Sequence, residues 1–517
     1  MNAKRSNGPR GPRRLVTYYD SAGLEISLNS LLTSMPNDVK AWTRGVQTLV
    51  DAHADAGVDT IAQNIFDRFT HSLHRDTTKV AYPSYEPRPE HDEHVASALR
   101  YHVMNKAMQE AGSDTIRIML DRCHEVGLTF IAAMRMNDRH PISLKEKTWF
   151  EHPEWRLKLQ QEGVYWDGGF DYSLEPVRER VLTFIGDLLE HYDVDGIEFD
   201  WMRWVYVFRP GTEQRNAPLL TDFHGRTRQL LDKAASKRGR KLHLGVRVPH
   251  IFARCMEAGF DVTAWIKEGL VDYVVPSHFG HMDYNTKVED FRSLTEGTDC
   301  RVYPSTQGHM WTGPCRLKMY RPSHYFGIAH NFYAFGADGV ETYNYQFSTV
   351  EQIASKVHEL KPISDPAELA GHDREYLYWR HHGRLQAAGA QSMQYDVIRL
   401  TRSEPNSSGT FDFRLAEDLD SANVSALMEF VAVGMAVDDR ISVKINGQKV
   451  PPDRVRRFHI WDGHDHEDKD EPYDLFRIAL SDPPVKFGDN ELAVSLTKTV
   501  GADGVIRIED LSVSVHP

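Results

Sequence analysis

The segment VDGIEFDWMRW, residues 194–204, sets two acids, Glu198 and Asp200, two positions apart in a run that otherwise reads as a buried β-strand. A buried carboxylate is costly unless it is paired or gives up its charge. Side chains alternate along a strand. Apolar Ile197 and Phe199 therefore face one side, and Gly196, Glu198 and Asp200 the other. A second segment, DGVETYN at 338–344, aligns with DGIEFDW and turns Gly339, Glu341 and Tyr343 to the same side. Two carboxyls flanking a scissile bond are the apparatus of glycoside hydrolysis, where one acid must hold its proton and the other must stay ionised.

Cations and polar groups collect at neighbouring positions. Alternation in VRV at 246–248 turns Arg247 inward, and MRMNDRH at 134–140 brings Arg135, Asn137, Asp138 and His140. Arg203 follows Asp200, His278 closes one apolar run, and Gln307 and His309 follow another. The catalytic candidates are Asp200, Glu341 and Glu198. The substrate-binding candidates are Arg135, Asn137, Asp138, Trp201, Arg203, Arg247, His278 and Tyr343. A plainer reading pairs Glu198 with Arg247 or Arg135 as an internal brace. Aromatics such as Tyr18, Trp149, Trp155, Trp166 and Trp204 fit either platforms for sugar rings or packing for long loops.

The elements that must position these residues recur. DAGVDTIAQN (55–64), YDVDGIEFDW (192–201), EGLVDYVVPS (268–277) and GADGVETYNY (336–345) each run from a helix end through an Asp into an apolar β-type stretch. Eight strands are expected, near 15–20, 58–64, 128–135, 194–200, 241–248, 271–277, 301–305 and 338–343. Between them, Val177, Val181, Ile185 and Leu188/Leu189 form one stripe of an amphipathic helix over 177–192, and 219–236 repeats the pattern. The fold class is α/β: a (β/α)8 TIM barrel over residues 1–385, followed by a C-terminal all-β sandwich over 386–517 with short alternating strands. An open doubly wound sheet is the alternative, but no glycine-rich nucleotide fingerprint accompanies it. Barrel enzymes keep their chemistry at the C-terminal strand ends. Asp59, Asp195, Asp272 and Asp338 stand at strand starts and are read as structural.

Composition bounds the partners. The 517 residues carry a formal charge of -13, which argues against a nucleic-acid backbone as partner. Cys123, Cys255, Cys300 and Cys315 lack CxxC spacing and are read as isolated thiols. No apolar run reaches membrane-spanning length. No signal-peptide pattern opens the chain, which fits either a cytoplasmic protein or one whose leader has been removed. No catalytic cofactor is expected. The acidic segment with Asp462, Asp465, Glu467, Asp468 and Asp470 reads either as a calcium loop with oxygen ligands or as a solvated loop. The oligomeric state is left open.

HPEW at 152–155, YSLEPVRERVLTFIGDLLEHYDVDGIEFDWMRW at 172–204 and MRMND at 134–138 resemble the glycoside-hydrolase-like barrel proteins of carbohydrate-degrading bacteria, described as family-10-like glycosyl hydrolases. The DGIxxD strand also resembles the fourth strand of the α-amylase clan, whose final Asp is the nucleophile, and Asp200 takes that position. The resemblance implies a hydrolase acting on glycans. Two departures stand out. The clan's fifth-strand Glu acid has no counterpart among Arg247, Pro249 and His250. The chitinase pattern DGxDxDxE is broken by Glu198 and by Met202, which stands where its catalytic Glu would be. The acid is therefore assigned to Glu341, with Glu198 and Asp138 behind it. The expected activity is cleavage of an O-glycosidic bond in a poly- or oligosaccharide. Arginine forks would suit an anionic sugar, sulfated or uronic. The alternative is a non-catalytic glycan-binding protein on the same scaffold. A third reading, a metal-dependent hydrolase using His140, His278 and His309, lacks an HxH strand motif.

Overall fold

The computed structural model describes residues 15–19, 38–66, 106–137, 151–157, 169–202, 204–278, 282–308, 321–345, 356–378, 398–417, 424–460, 472–480, 485–501 and 503–517, with a few isolated positions besides. The chain divides into two compact units, residues 1–280, 287–309 and 336–364, and residues 281–286, 310–335 and 365–517.

The first unit is built on one parallel sheet. Its strands are β1 (Leu15–Tyr19), β2 (Thr60–Phe66), β3 (Thr129–Arg135), β4 (Gly196–Asp200), β5 (His243–Pro249), β6 (Tyr273–Ser277), β7 (Arg301–Val302), β8 (Ser305–Gln307) and β9 (Val340–Tyr343). They lie in the order β7-β6-β5-β4-β3-β2-β1-β9-β8. β7 pairs with β6 while β8 pairs with β9, so the short chain 301–307 links both ends of the sheet and curls it into a TIM-like barrel. The break falls at Pro304, which has no N–H to donate and whose carbonyl accepts from Glu341 N at 3.0 Å. The eight expected strands are present, the seventh as these two pieces.

The recurrent aspartates explain the joints. They precede β2, β4, β6 and β9, and accept backbone N–H groups near the starts of β1, β3, β5 and β7 respectively. Asp59 takes Leu15 N at 3.4 Å, Asp195 takes Phe130 N at 2.8 Å, Asp272 takes Leu244 N at 2.8 Å and Asp338 takes Val302 N at 2.9 Å. Arg240, Arg228 and Arg301 pair with Asp195, Asp272 and Asp338 at 3.1, 3.0 and 3.5 Å. These acids satisfy orphan donors at the barrel's N-terminal end, a structural role.

Helices α1 (Val39–Asp55), α2 (Thr115–Val126), α3 (Glu175–His191) and α4 (Glu213–Arg238) surround the sheet. Asp38 and Asp114 cap α1 and α2 by accepting from Ala41 N and Arg117 N. α3 buries Val177, Val181, Ile185, Leu188 and Leu189, the stripe its spacing predicts, and Phe184 besides. α4 begins six residues before the expected 219, with Pro218 inside it. A proline reads as a stop; at the sixth helical position Pro218 gives up one hydrogen bond, to Gln214 O, and the helix runs through it.

The second unit holds β10 (Arg374–Tyr378), β11 (Ile398–Thr401), β12 (Ser408–Leu415), β13 (Ser425–Val433), β14 (Arg440–Ile445), β15 (Gln448–Lys449), β16 (Val455–Ile460), β17 (Tyr473–Ala479), β18 (Gly488–Lys498) and β19 (Val505–His516). One antiparallel sheet runs β10-β19-β13-β17-β16, with β11 also on β19, and the other runs β12-β18-β14-β15, as a β-sandwich. Alternate residues such as Leu492, Val494 and Leu496 are buried. β10 pairs with β19 and so belongs to this unit, although it lies before residue 386. Local periodicity identifies a strand but not its distant partner.

Candidate active site

The inward faces of β3, β4, β5 and β9 bring six of the expected residues together. Strand register sets Arg135 and Arg247 directly on either side of Asp200. Asp200 Oδ1 accepts from Arg247 Nη1 at 2.9 Å and from Met202 N at 2.9 Å. The rest of the Arg247 guanidinium donates to Ser277 Oγ, at 3.1 Å from Nε and 2.7 Å from Nη2. Its Cζ lies 3.7 Å from the centroid of the Tyr343 ring, which stacks on Tyr18 at 4.6 Å. Arg135 Nη2 donates to the Tyr343 hydroxyl at 3.0 Å. Asp200, Glu198 and Glu341 are wholly buried.

Glu198 and Glu341 form a second group in the barrel interior. Glu198 Oε2 accepts from Tyr273 OH at 2.9 Å, and Glu341 Oε1 accepts from Ser305 Oγ at 3.0 Å with Arg247 Nε at 3.7 Å. Burial pushes the Glu198 carboxyl up to about 7, against the restraint of the Tyr273 hydrogen bond and with the help of the Asp200 charge. Burial, then the charge of Glu198, holds Glu341 well above the usual carboxylate range. Three carboxyls here face two guanidiniums, so one retained proton makes the buried cluster neutral. The arrangement supplies an arginine-paired aspartate and a carboxylic acid that keeps its proton near neutral pH.

Other expected residues sit apart. Asn137 is spent on backbone, with Nδ2 donating to Phe170 O and Tyr206 O at 3.1 and 2.8 Å and Oδ1 accepting from Phe170 N at 2.8 Å. Trp201 is fully buried on the helix side of β4, packed 5.2 Å from Tyr172, 6.4 Å from Phe223 and 5.7 Å from Phe260. Alternation after inward-facing Asp200 turns it away from the carboxyls, so it offers no platform for a sugar ring. Trp204 and Tyr18 are core residues as well. His278 ends β6 nearly buried, its ring 5.0 Å from that of His250. Asp138, Arg203, His140, His309, Cys315 and the acidic 462–470 segment considered for calcium lie outside the described residues. Among the described residues, no three His, Cys, Asp or Glu side chains are grouped to hold a metal, and no helix is long and apolar enough to cross a membrane. Cys123, Cys255 and Cys300 are buried and, among the described residues, form no disulfide. A groove of about 1040 Å³ between α3 and α4, lined by residues such as Glu179, Asp187, Arg226 and Lys233, includes none of the barrel carboxyls.

Sequence reasoning missed Tyr273, Ser277, Ser305 and Gly245. The signal was available for two of them, since alternation in YVVPS puts Tyr273, Val275 and Ser277 on one face. Ser305 follows the break at Pro304, where alternation loses its phase. Gly245 is explained only by what crosses it. A Cβ there would lie 2.0 Å from Tyr273 Cζ.

No family model and no curated protein matches the chain. Solved structures similar to it include alpha-L-fucosidase isoenzyme 2 from Paenibacillus thiaminolyticus, at 14% identity over 69% of this chain and 49% of that one, with a TM-score of 0.39. A GH36 alpha-galactosidase from Geobacillus stearothermophilus in complex with stachyose aligns at 11% identity over 96% and 57%, with a TM-score of 0.38. A chitinase from Ipomoea carnea aligns at 11% identity over 68% and 99%, with a TM-score of 0.32. The chain spans about half the length of the fucosidase and the galactosidase, 49% and 57%. With TM-scores from 0.32 to 0.39, these likenesses carry no argument about the chain's activity or family. The TIM-like barrel rests on the chain's own strand order, and the family-10 likeness finds no support in the comparisons.

Proposed function

We propose that this chain is a glycoside hydrolase cleaving an O-glycosidic bond of a poly- or oligosaccharide. Asp200 is the nucleophile or base, Glu341 the acid, and Glu198 the carboxyl that holds Glu341 in its protonated form. The observation that carries this reading is the contrast between Asp200, at the C-terminal end of β4, and Glu341, inside β9. Asp200 faces Arg247 at 2.9 Å, while Glu341 lies at a longer 3.7 Å from Arg247 Nε and is pushed toward its protonated state by burial. A protonated carboxyl can deliver its proton to the leaving oxygen, while an ionised one attacks the anomeric carbon or activates water. Arg135, beside Asp200, supports an anionic substrate, sulfated or uronic. The test is release of new reducing ends from neutral, uronic and sulfated polysaccharides by the wild type and by Asp200→Asn.

One observation favours a second reading. All three carboxyls are wholly buried and Arg247 is engaged by internal partners. A glycan-binding protein on this scaffold would use the cluster as a brace, bind glycans with Asp200→Asn, and form no product.

A further inference from the structure

Among the described residues, two oxygens deep in the barrel have no partner outside the carboxyl pair itself. Glu198 Oε1 and Glu341 Oε2 are buried and receive no hydrogen bond from any other described group. Their companion oxygens are occupied by Tyr273 and Ser305. Two buried carboxylates cannot face each other without a proton between them, because like charges at short range in a poorly polarisable interior repel strongly. Water is not the natural filler for a barrel interior whose packed residues include Val16, Ala62, Ile131, Ala133 and Val275.

We infer that Glu198 and Glu341 bond directly to one another through a shared proton, and that Tyr273, admitted by the missing side chain at Gly245, keeps that proton on Glu341. The catalytic meaning of this arrangement rests on the hydrolase reading above, but the bond itself does not. The asymmetry comes from the two hydroxyl donors. Tyr273 OH has Glu198 Oε2 as its acceptor at 2.9 Å. Ser305 has one hydroxyl proton for two acceptors, Glu341 Oε1 at 3.0 Å and the Thr306 carbonyl at 3.2 Å. Glu198 is therefore the better-solvated anion and Glu341 the proton holder. The direct bond from the Glu341 carboxyl to Glu198 acts the same way, stabilising the charge on Glu198. Tyr273 reaches its acceptor only because β5 has a glycine opposite Glu198 in register. A Cβ at Gly245 would stand 2.4 Å from the Tyr273 hydroxyl oxygen. Tyr273 is thus a positioning residue acting through Glu198.

Among the described residues, the remaining titratable groups around the pair are Tyr18 of β1, Arg135 of β3, Asp200 of β4, Arg247 of β5, Tyr303 between β7 and β8, and Tyr343 of β9. Burial, Asp200 and Tyr343 push the phenol of Tyr18 well above its ordinary value. Burial does the same for Tyr273, followed by the charge of Glu198. Neither phenol competes for the proton near neutrality. The two arginines are permanent cations. The titration near neutral pH is that of the pair.

The test is infrared difference spectroscopy of the full chain titrated from acid to alkaline pH, following the protonated-carboxyl C=O band. The wild type should lose part of the band in a step near 7 and retain the rest to clearly higher pH. Tyr273→Phe should move the near-neutral step upward by roughly one unit or more. Glu198→Gln should abolish that step and lower the midpoint of the remaining one, since the opposing charge is gone. A wild type without any protonated-carboxyl band above neutral pH overturns the inference, and this measurement needs no variant to fold. A folded Tyr273→Phe protein with both steps unmoved also overturns it. The band does not depend on catalysis. A retained band without polysaccharide cleavage supports the shared proton and sinks the hydrolase reading. Cleavage without the band sinks the shared proton alone.

Discussion

Arg247 Nη1 stands 2.9 Å from Asp200 Oδ1, with the two side chains 1% and 0% exposed and their residues directly opposite in strand register. Removing one partner of such a pair leaves the other charge buried without compensation. Arg247→Ala should therefore lower stability by about 3–5 kcal/mol, read as a drop in the denaturant midpoint. Asp200→Asn keeps an oxygen acceptor for Met202 N and Arg247 and should cost clearly less. A wild-type midpoint for Arg247→Ala would show that the pair does not hold the barrel interior.

Gly245→Ala brings a Cβ to 2.0 Å from the Tyr273 ring, which is itself buried. The ring must shift, and overpacking of this kind costs about 1–3 kcal/mol. The expected result is a destabilised but folded protein. It should have the same upward displacement of the Glu198 titration as Tyr273→Phe, because both changes remove the 2.9 Å hydrogen bond. An unaltered titration in folded Gly245→Ala would contradict the role given to this glycine.

Stability should also depend on pH through Glu198. Its native value, pushed up to about 7, lies above the roughly 4.3 of an unfolded glutamate. The folded state then binds the proton more tightly. The contribution is fully present below the unfolded value and is lost as pH rises through the native one. Denaturation midpoints compared at mildly acidic and mildly alkaline pH should fall with pH in the wild type. The Glu198→Gln protein should show a smaller fall, and equal slopes would refute the assignment.

At the other end of the barrel the sign reverses. Burial works to raise the Asp195 carboxyl, but the hydrogen bond from His124 and that from Phe130 N–H outweigh it and hold the group below its ordinary value. Its contribution is present above the unfolded value of about 3.9 and is lost as pH falls through the native one. Asp195→Ala should cost about 1–3 kcal/mol at neutral pH. It should shrink the loss of stability in acid and leave the carboxyl cluster's titration unchanged.

The barrel was legible because its signals are local. Each Asp-plus-apolar joint marked a strand start, and period-two alternation turned Glu198, Asp200, Arg247, Glu341 and Tyr343 inward without knowledge of their partners. Partners are what alternation leaves out. Sequence alone pairs Glu198 with Arg247 or Arg135, whereas Tyr273, two strands away, donates to it. Trp201 follows a candidate catalytic acid in sequence, but the same alternation that aims Asp200 inward sends Trp201 into the helix layer against Phe223. Asn137 has the donors and acceptors of a sugar ligand, yet the backbone of Phe170 and Tyr206 claims them. Burial was the least legible quantity, since a polar residue at a strand end reads as exposed until the side chains across the barrel are known.

The central claim is that Asp200 performs hydrolysis at a glycosidic bond, and the most direct measurement is product release. Wild type and Asp200→Asn, both verified as folded, would be incubated with neutral, uronic and sulfated polysaccharides and assayed for new reducing ends. The wild type should release product from at least one class, and Asp200→Asn essentially none. Equal release by both proteins, or binding without release by the wild type, would contradict the claim.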